Sequence, residues 1–196
     1  MSYHPGMLEI ASDQRVGQLV SSLAASLSDR MADGSVHPWA MVGIKRRGDL
    51  LARRLAAQLR GDPLEGRVGS LDITLYRDDL SEIANQPIVK TSDIPFDLDG
   101  LNLVLVDDVL MSGRSVRAAL QSLMDFGRPR RIWLAVLVDR GGRELPICPD
   151  HCALDLTTHP DGGIELNADD RVLVHLTPLD GGDRITVEPA ANEKRG

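Results

Sequence analysis

Two stretches constrain this chain more than anything else in it: the strand-like run Leu101 to Val106, and the fully apolar run that follows Arg131 up to Val138. A strand that is apolar at successive positions must be covered on both faces, and parallel sheets flanked by crossover helices provide that cover. Ser115 to Phe126 lies between the two runs and predicts such a helix, closed by Gly127 with Pro129 shortly after. A helix is predicted from Ser12 or Asp13 to about Met31, with Val16, Leu19, Val20, Leu23 and Leu27 on one face. Trp39 to Ile44 reads as a strand, and Leu50 to Leu59 as a helix capped by Asp49. Leu71 to Tyr76 reads as another strand, and short strands follow near Leu154, Val172 to Leu176 and Ile185 to Val187. The fold class is α/β, with a mainly parallel central sheet flanked by helices.

At the end of the first run, Leu103-Val-Leu-Val leads into Asp107-Asp108, then Val109, Leu110, Met111, Ser112, Gly113, Arg114 and Ser115 at a helix start. Ligands of open α/β sheets bind outside the carboxyl ends of the strands, where these acids are expected to emerge. Backbone N–H groups, two hydroxyls and a guanidinium at a helix N-terminus suit a phosphate monoester. The carboxylates repel phosphate, so they call for hydroxyls or a metal. A sugar 5-phosphate with vicinal hydroxyls satisfies both halves of the segment. The chain has neither a Gly-x-x-x-x-Gly-Lys-Ser/Thr string nor a Gly-x-Gly-x-x-Gly string.

The net charge of −7 disfavours generic nucleic-acid binding, and 3% aromatics leaves little for stacking bases. The longest clear apolar run is too short to span a bilayer, and two cysteines indicate no disulfide framework. A cytosolic protein is expected. Cys148-Pro-Asp-His151-Cys152 offers too few ligands for a four-coordinate zinc site without a further partner.

Leu103 to Ser115 resembles the motif with which type I phosphoribosyltransferases bind 5-phosphoribosyl 1-diphosphate (PRPP). Val42-Gly-Ile-Lys-Arg-Arg-Gly48, Asp72-Ile-Thr-Leu-Tyr-Arg-Asp-Asp-Leu80 and Leu137-Val-Asp-Arg-Gly-Gly-Arg-Glu-Leu-Pro146 are similar to segments of the PyrR family. These are bacterial regulators of pyrimidine genes that also act as uracil phosphoribosyltransferases. The resemblance covers roughly residues 12 to 187, with four motifs in order.

It implies a type I phosphoribosyltransferase fold with a small C-terminal hood, in one domain over residues 1–188. Residues 77–100 would form a mobile loop, 142–188 would be partly hood, and 189–196 a flexible tail. It implies a pyrophosphate loop at Lys45, Arg46, Arg47 and Gly48, carrying a non-proline cis peptide. Asp107, Asp108 and Arg77 become catalytic, and residues 107 to 115 hold the phosphate and ribose of PRPP or UMP. Asp139, Arg140 and the apolar Ile164 fall around the base. Mg²⁺ is expected mainly through PRPP, with Asp107 and Asp108 as its protein ligands, and the partners are PRPP, uracil and UMP in a homo-oligomer.

The chain departs from the family where RNA would bind. Gln18 to Ser26 has no basic residue, Gly142 stands where His is typical, and Cys148 and Leu154 where basic residues are usual; in the pyrophosphate turn, Arg46 stands where Thr is usual. Each lost cation removes a phosphate contact and its counterion release. The expected function is therefore conversion of uracil and PRPP to UMP and pyrophosphate. Alternatives are a UMP-responsive, mRNA-binding attenuator with an eroded RNA surface, and a purine phosphoribosyltransferase.

Overall fold

The computed structural model describes residues 7–32, 34–74, 92–157 and 166–190. Element order is β1 (Leu8–Ala11), α1 (Asp13–Met31), β2 (Trp39–Ile44), α2 (Arg47–Ala56), β3 (Val68–Leu71), β4 (Asn102–Leu110), α3 (Arg114–Leu123), β5 (Arg131–Asp139), β6 (His151–Asp155), β7 (Arg171–His175) and β8 (Arg184–Glu188). Five strands form a parallel sheet in the order β3-β2-β4-β5-β6. Strands β1, β8 and β7 form a separate antiparallel sheet.

Strand alternation explains why the central strands are apolar throughout. Val104 and Val106 face the core that holds Val16, Leu23, Leu27, Leu51 and Leu55 of α1 and α2. Leu103 and Leu105 face the opposite core, with Val116, Ala119 and Leu123 of α3. Both layers are fully buried on the sheet, so no position of β4 between Leu103 and Val106 is left for a polar side chain.

Several boundaries differ from the sequence reading, each for a packing reason. Strand β3 begins at Val68 because it takes its register from β2, pairing Met41 with Val68 through Ile44 with Leu71. Helix α2 starts at Arg47, so Asp49 lies in its first turn, where its carboxylate accepts from Leu50 N at 3.0 Å. Strand β4 continues to Leu110, because β5 runs alongside and pairs with it as far as Leu110 and Asp139. The expected hood region is divided: β6 joins the central sheet, while β7 and β8 are joined by β1 from the start of the chain. No helix among the described residues is long and apolar enough to cross a membrane.

Candidate active site

Strand β2 pairs with β4 only as far as Gly43 and Val106. There the chain leaves the sheet through Lys45 and Arg46, whose peptide bond is cis, and enters α2. The neighbouring end of β4 is thereby uncovered, and a cleft of about 690 Å³ opens over it. It is lined by Ile44, Lys45, Arg46 and Arg47 from one side, Asp72, Ile73 and Thr74 after β3, and Asp107, Asp108, Val109 and Ser115 from β4 and α3.

Two glycines permit this geometry. A Cβ on Gly43 would lie 2.2 Å from the Gly48 carbonyl oxygen, and one on Gly48 would lie 2.6 Å from that of Val106. The basic turn can thus sit directly against the acidic strand. Gly48 serves by this close approach and is not itself part of the cleft wall.

Asp107 is buried, and its carboxylate accepts from the backbone N–H of Asp108 at 3.0 Å. Burial pushes the Asp108 carboxyl above its ordinary range, while Asp107 and the nearby Arg47 charge work the other way. Arg47 makes a bidentate pair with Asp180, in the connection from β7 to β8, with both N···O distances at 3.0 Å. That bond raises the Arg47 pKa and lowers that of Asp180. One α2 turn pair further on, Arg54 grips Asp183 and the Thr177 carbonyl in the same connection.

Residues 111 to 115 turn into α3 through Gly113, whose φ of +89° is the left-handed region open to glycine. The first turn of α3 carries no acidic residue, leaving its positive dipole end unopposed. Leu110 is buried, Met111 is exposed, and Ser112 accepts from Glu144 N and Leu145 N through its carbonyl. Arg114 is paired with Glu144 at 2.5 Å.

One strand over, Asp139 is buried at the end of β5, bonded by Arg143 at 2.5 Å and by Gly141 N at 3.0 Å. Arg140 is 7% exposed, and its guanidinium donates to the carbonyls of Asn167, Ala168 and Asp170 at 2.6–3.2 Å. The side chain thus ties the start of the antiparallel sheet to the central one. Arg77 and Ile164, the 77–91 portion of the expected loop, and residues 191–196 of the expected tail lie outside the described residues. Among the described residues no group of three or more His, Cys, Asp or Glu side chains is placed to hold a metal ion. Burial pushes the Cys152 thiol to about 11, so it is protonated at neutral pH.

Asp72, Ile73 and Thr74 also line the cleft; they open the motif that contains Arg77, and nothing in the sequence alone marks them as cleft residues. The sequence does not mark Asp180 either. It is 133 positions from Arg47, and no local pattern announces the pair.

Fold and cleft together define a phosphoribosyltransferase-type protein, and residues 7–166 match the phosphoribosyl transferase domain family. Its solved structural neighbours include a hypoxanthine-guanine phosphoribosyltransferase from Bacillus anthracis, with a TM-score of 0.59 at 14% identity over 78% of this chain and 82% of that one. At that identity the likeness speaks for the fold alone. Among curated relatives, the bifunctional protein PyrR of Roseiflexus sp. is 45% identical over 90% of this chain and 92% of its own. That of Picosynechococcus sp. is 44% identical over 91% and 96%. The chain belongs to the PyrR family.

Proposed function

We propose that this protein is a uracil phosphoribosyltransferase, converting uracil and PRPP to UMP and pyrophosphate. One observation carries the reading: a basic turn, Lys45 to Arg47, faces the acidic pair Asp107-Asp108 across a single cleft, with the start of α3 beside it. PRPP has anionic groups at two ends and hydroxyls between them, and this arrangement matches that order of charge. The proposal takes residues 1–188 as one catalytic domain.

In this reading the turn from Met111 to Ser115 holds the 5-phosphate against the N-terminus of α3. Asp107 and Asp108 accept hydrogen bonds from the ribose hydroxyls. Lys45, Arg46 and Arg47 bind the diphosphate and stabilise the charge that grows on it as the bond to ribose C1 breaks. Asp107 and Asp108 are oxygen donors suited to Mg²⁺, which with PRPP bound would add positive charge at the leaving diphosphate. Residues 77–91, with Arg77, would cover the cleft and keep water from the cationic ribose; residues 92–100 of the expected loop instead belong to the body of the fold, with Asp93 bridged to Ser70 and Leu98 fully buried. Uracil N1 then bonds to C1 in place of the departing diphosphate oxygen, and the N1 proton passes to solvent.

The turn from Asp139 to Gly142 would border the base. Arg140 acts there by anchoring the 167–170 turn, with Ile164 supplying an apolar contact. Base-edge recognition by backbone groups needs few particular side chains. The purine alternative shares the PRPP half of the site, and Asp139-Arg-Gly-Gly-Arg-Glu-Leu-Pro146 favours the pyrimidine. Incubation with PRPP, Mg²⁺ and separate bases tests the proposal: UMP is expected, and IMP or GMP in its place contradicts it.

A further inference from the structure

We propose that the opposite end of the central sheet carries a second ligand site, one that takes a small phosphate-bearing anion. Strands β2, β4 and β5 begin side by side there, with Trp39, Asn102 and Arg131 as register partners. Together with Ser35, Arg130 and Trp133 they surround a cavity of about 350 Å³. That is the lower end of the size range of small-molecule pockets. It lies at the N-terminal ends of these strands, away from the cleft over Asp107 and Asp108.

The charge at this cavity runs against the rest of the molecule. Three arginines fall within Arg128-Pro-Arg-Arg131 in a chain of net charge −7. Among the described residues neither Arg130 nor Arg131 is paired with a carboxylate: Arg130 Nη1 meets His37 Nε2 at 2.6 Å, and the Arg131 guanidinium lies 5.2 Å from the centre of the Trp133 ring. The ring holds Arg131 in place through a cation–π contact while leaving its charge uncompensated. Two guanidinium forks on one concavity suit a phosphate group, whose oxygens can accept from both.

The wall itself has an unmet hydrogen-bonding group. Trp39 is 4% exposed, and its indole N–H has no hydrogen-bond partner among the described residues. A buried N–H without a partner is costly in any fold. This N–H lies inside the wall, so recognition of an anion falls to the guanidinium groups of Arg130 and Arg131 at its rim. Asn102 is fixed beside it, donating to Ser35 Oγ at 2.8 Å and to the His37 carbonyl at 3.3 Å. Trp39 and Trp133 are buried against each other with ring centres 4.7 Å apart. They therefore offer no open face on which a base could stack, which points to a compact anion and away from single-stranded nucleic acid.

The chain's two tryptophans both line this cavity, so intrinsic fluorescence reports on it directly. The intact protein is titrated separately with inorganic phosphate, diphosphate and UMP, against potassium chloride at matched ionic strength. A saturable change with inorganic phosphate is expected, retained in the Asp107→Asn, Asp108→Asn protein and weakened at least tenfold in affinity by Arg130→Ala with Arg131→Ala. A response to inorganic phosphate and diphosphate that survives Asp107→Asn with Asp108→Asn assigns the anion to this cavity; a response to UMP alone, or one lost in that protein, belongs to the cleft and overturns the proposal. Transfer to uracil should be unchanged in the arginine variant, and the binding readout does not depend on that activity. No saturable response, an equal response to chloride, or unaltered affinity in the arginine variant would overturn the proposal.

Discussion

At Asp108 two opposing effects meet. Burial holds the carboxyl above its ordinary range, and Asp107 and Arg47 draw it back down. Since the proposed chemistry needs the ionised form, activity falls as the pH drops through this raised value. The acid limb of kcat/KM is therefore expected above the ordinary aspartate value of about 3.9. Arg47→Gln removes the opposing positive charge and should move the limb to higher pH, as pH profiles of the two proteins will show. A limb that stays put means that Arg47 does not act on Asp108. Replacing both acids, Asp107→Asn with Asp108→Asn, should lower turnover by roughly 10²-fold or more. The melting temperature should not fall, because neither acid forms part of the apolar cores. Undiminished turnover would make the pair structural.

Helix α2 joins the cleft to the antiparallel sheet, with Arg47 on Asp180 and Arg54 on Asp183. Asp180 is a positioning residue for Arg47, fixing its planar fork beside Asp108. Asp180→Asn should raise KM for PRPP about tenfold with kcat within a few fold, an energy on the scale of one charge-assisted hydrogen bond. Equal losses in kcat and kcat/KM would contradict this role. Gly43→Ala drives a methyl group into the Gly48 carbonyl and should destabilise by about 1–3 kcal/mol or more, read from denaturant midpoints. Elements with strong periodicity or continuous apolar runs were legible in the sequence. Helix α1 and strands β2 and β5 lie where Val16 to Leu27, Trp39 to Ile44 and Ile132 to Val138 put them. Strand β1 was not legible, because Leu8-Glu-Ile-Ala carries no pattern of its own and gains its partner only from β8, far along the chain. The Lys45 to Arg47 and Asp107-Asp108 halves of the cleft were legible as motifs. What orients the basic half, Asp180 on Arg47, depends on a contact between distant segments.

The whole molecule is a central parallel sheet on whose α1–α2 side the small antiparallel sheet shares a core, with Val174, Leu176 and Ile185 buried alongside Leu51 and Leu55. Ion pairs reinforce that junction, and their pH dependence has a definite sign. Arg54 lowers the Asp183 carboxyl to about 2, and Arg47 lowers that of Asp180. A depressed carboxylate stabilises the fold above its unfolded value of about 3.9, and the benefit disappears as pH falls toward 2. Stability should therefore decline between about pH 4 and pH 2, and Asp183→Asn should flatten that decline in acid melts. An unchanged acid slope would mean that the Arg54 pair adds nothing to the junction. Each of these pairs matters to function only through the cleft it shapes, so the central claim rests on what that cleft turns over. The most direct measurement is product formation by the purified protein with PRPP, Mg²⁺ and uracil, hypoxanthine or guanine in parallel. UMP and pyrophosphate in equal amounts from uracil, with the purines unreacted, is the result predicted; IMP or GMP without UMP would contradict it.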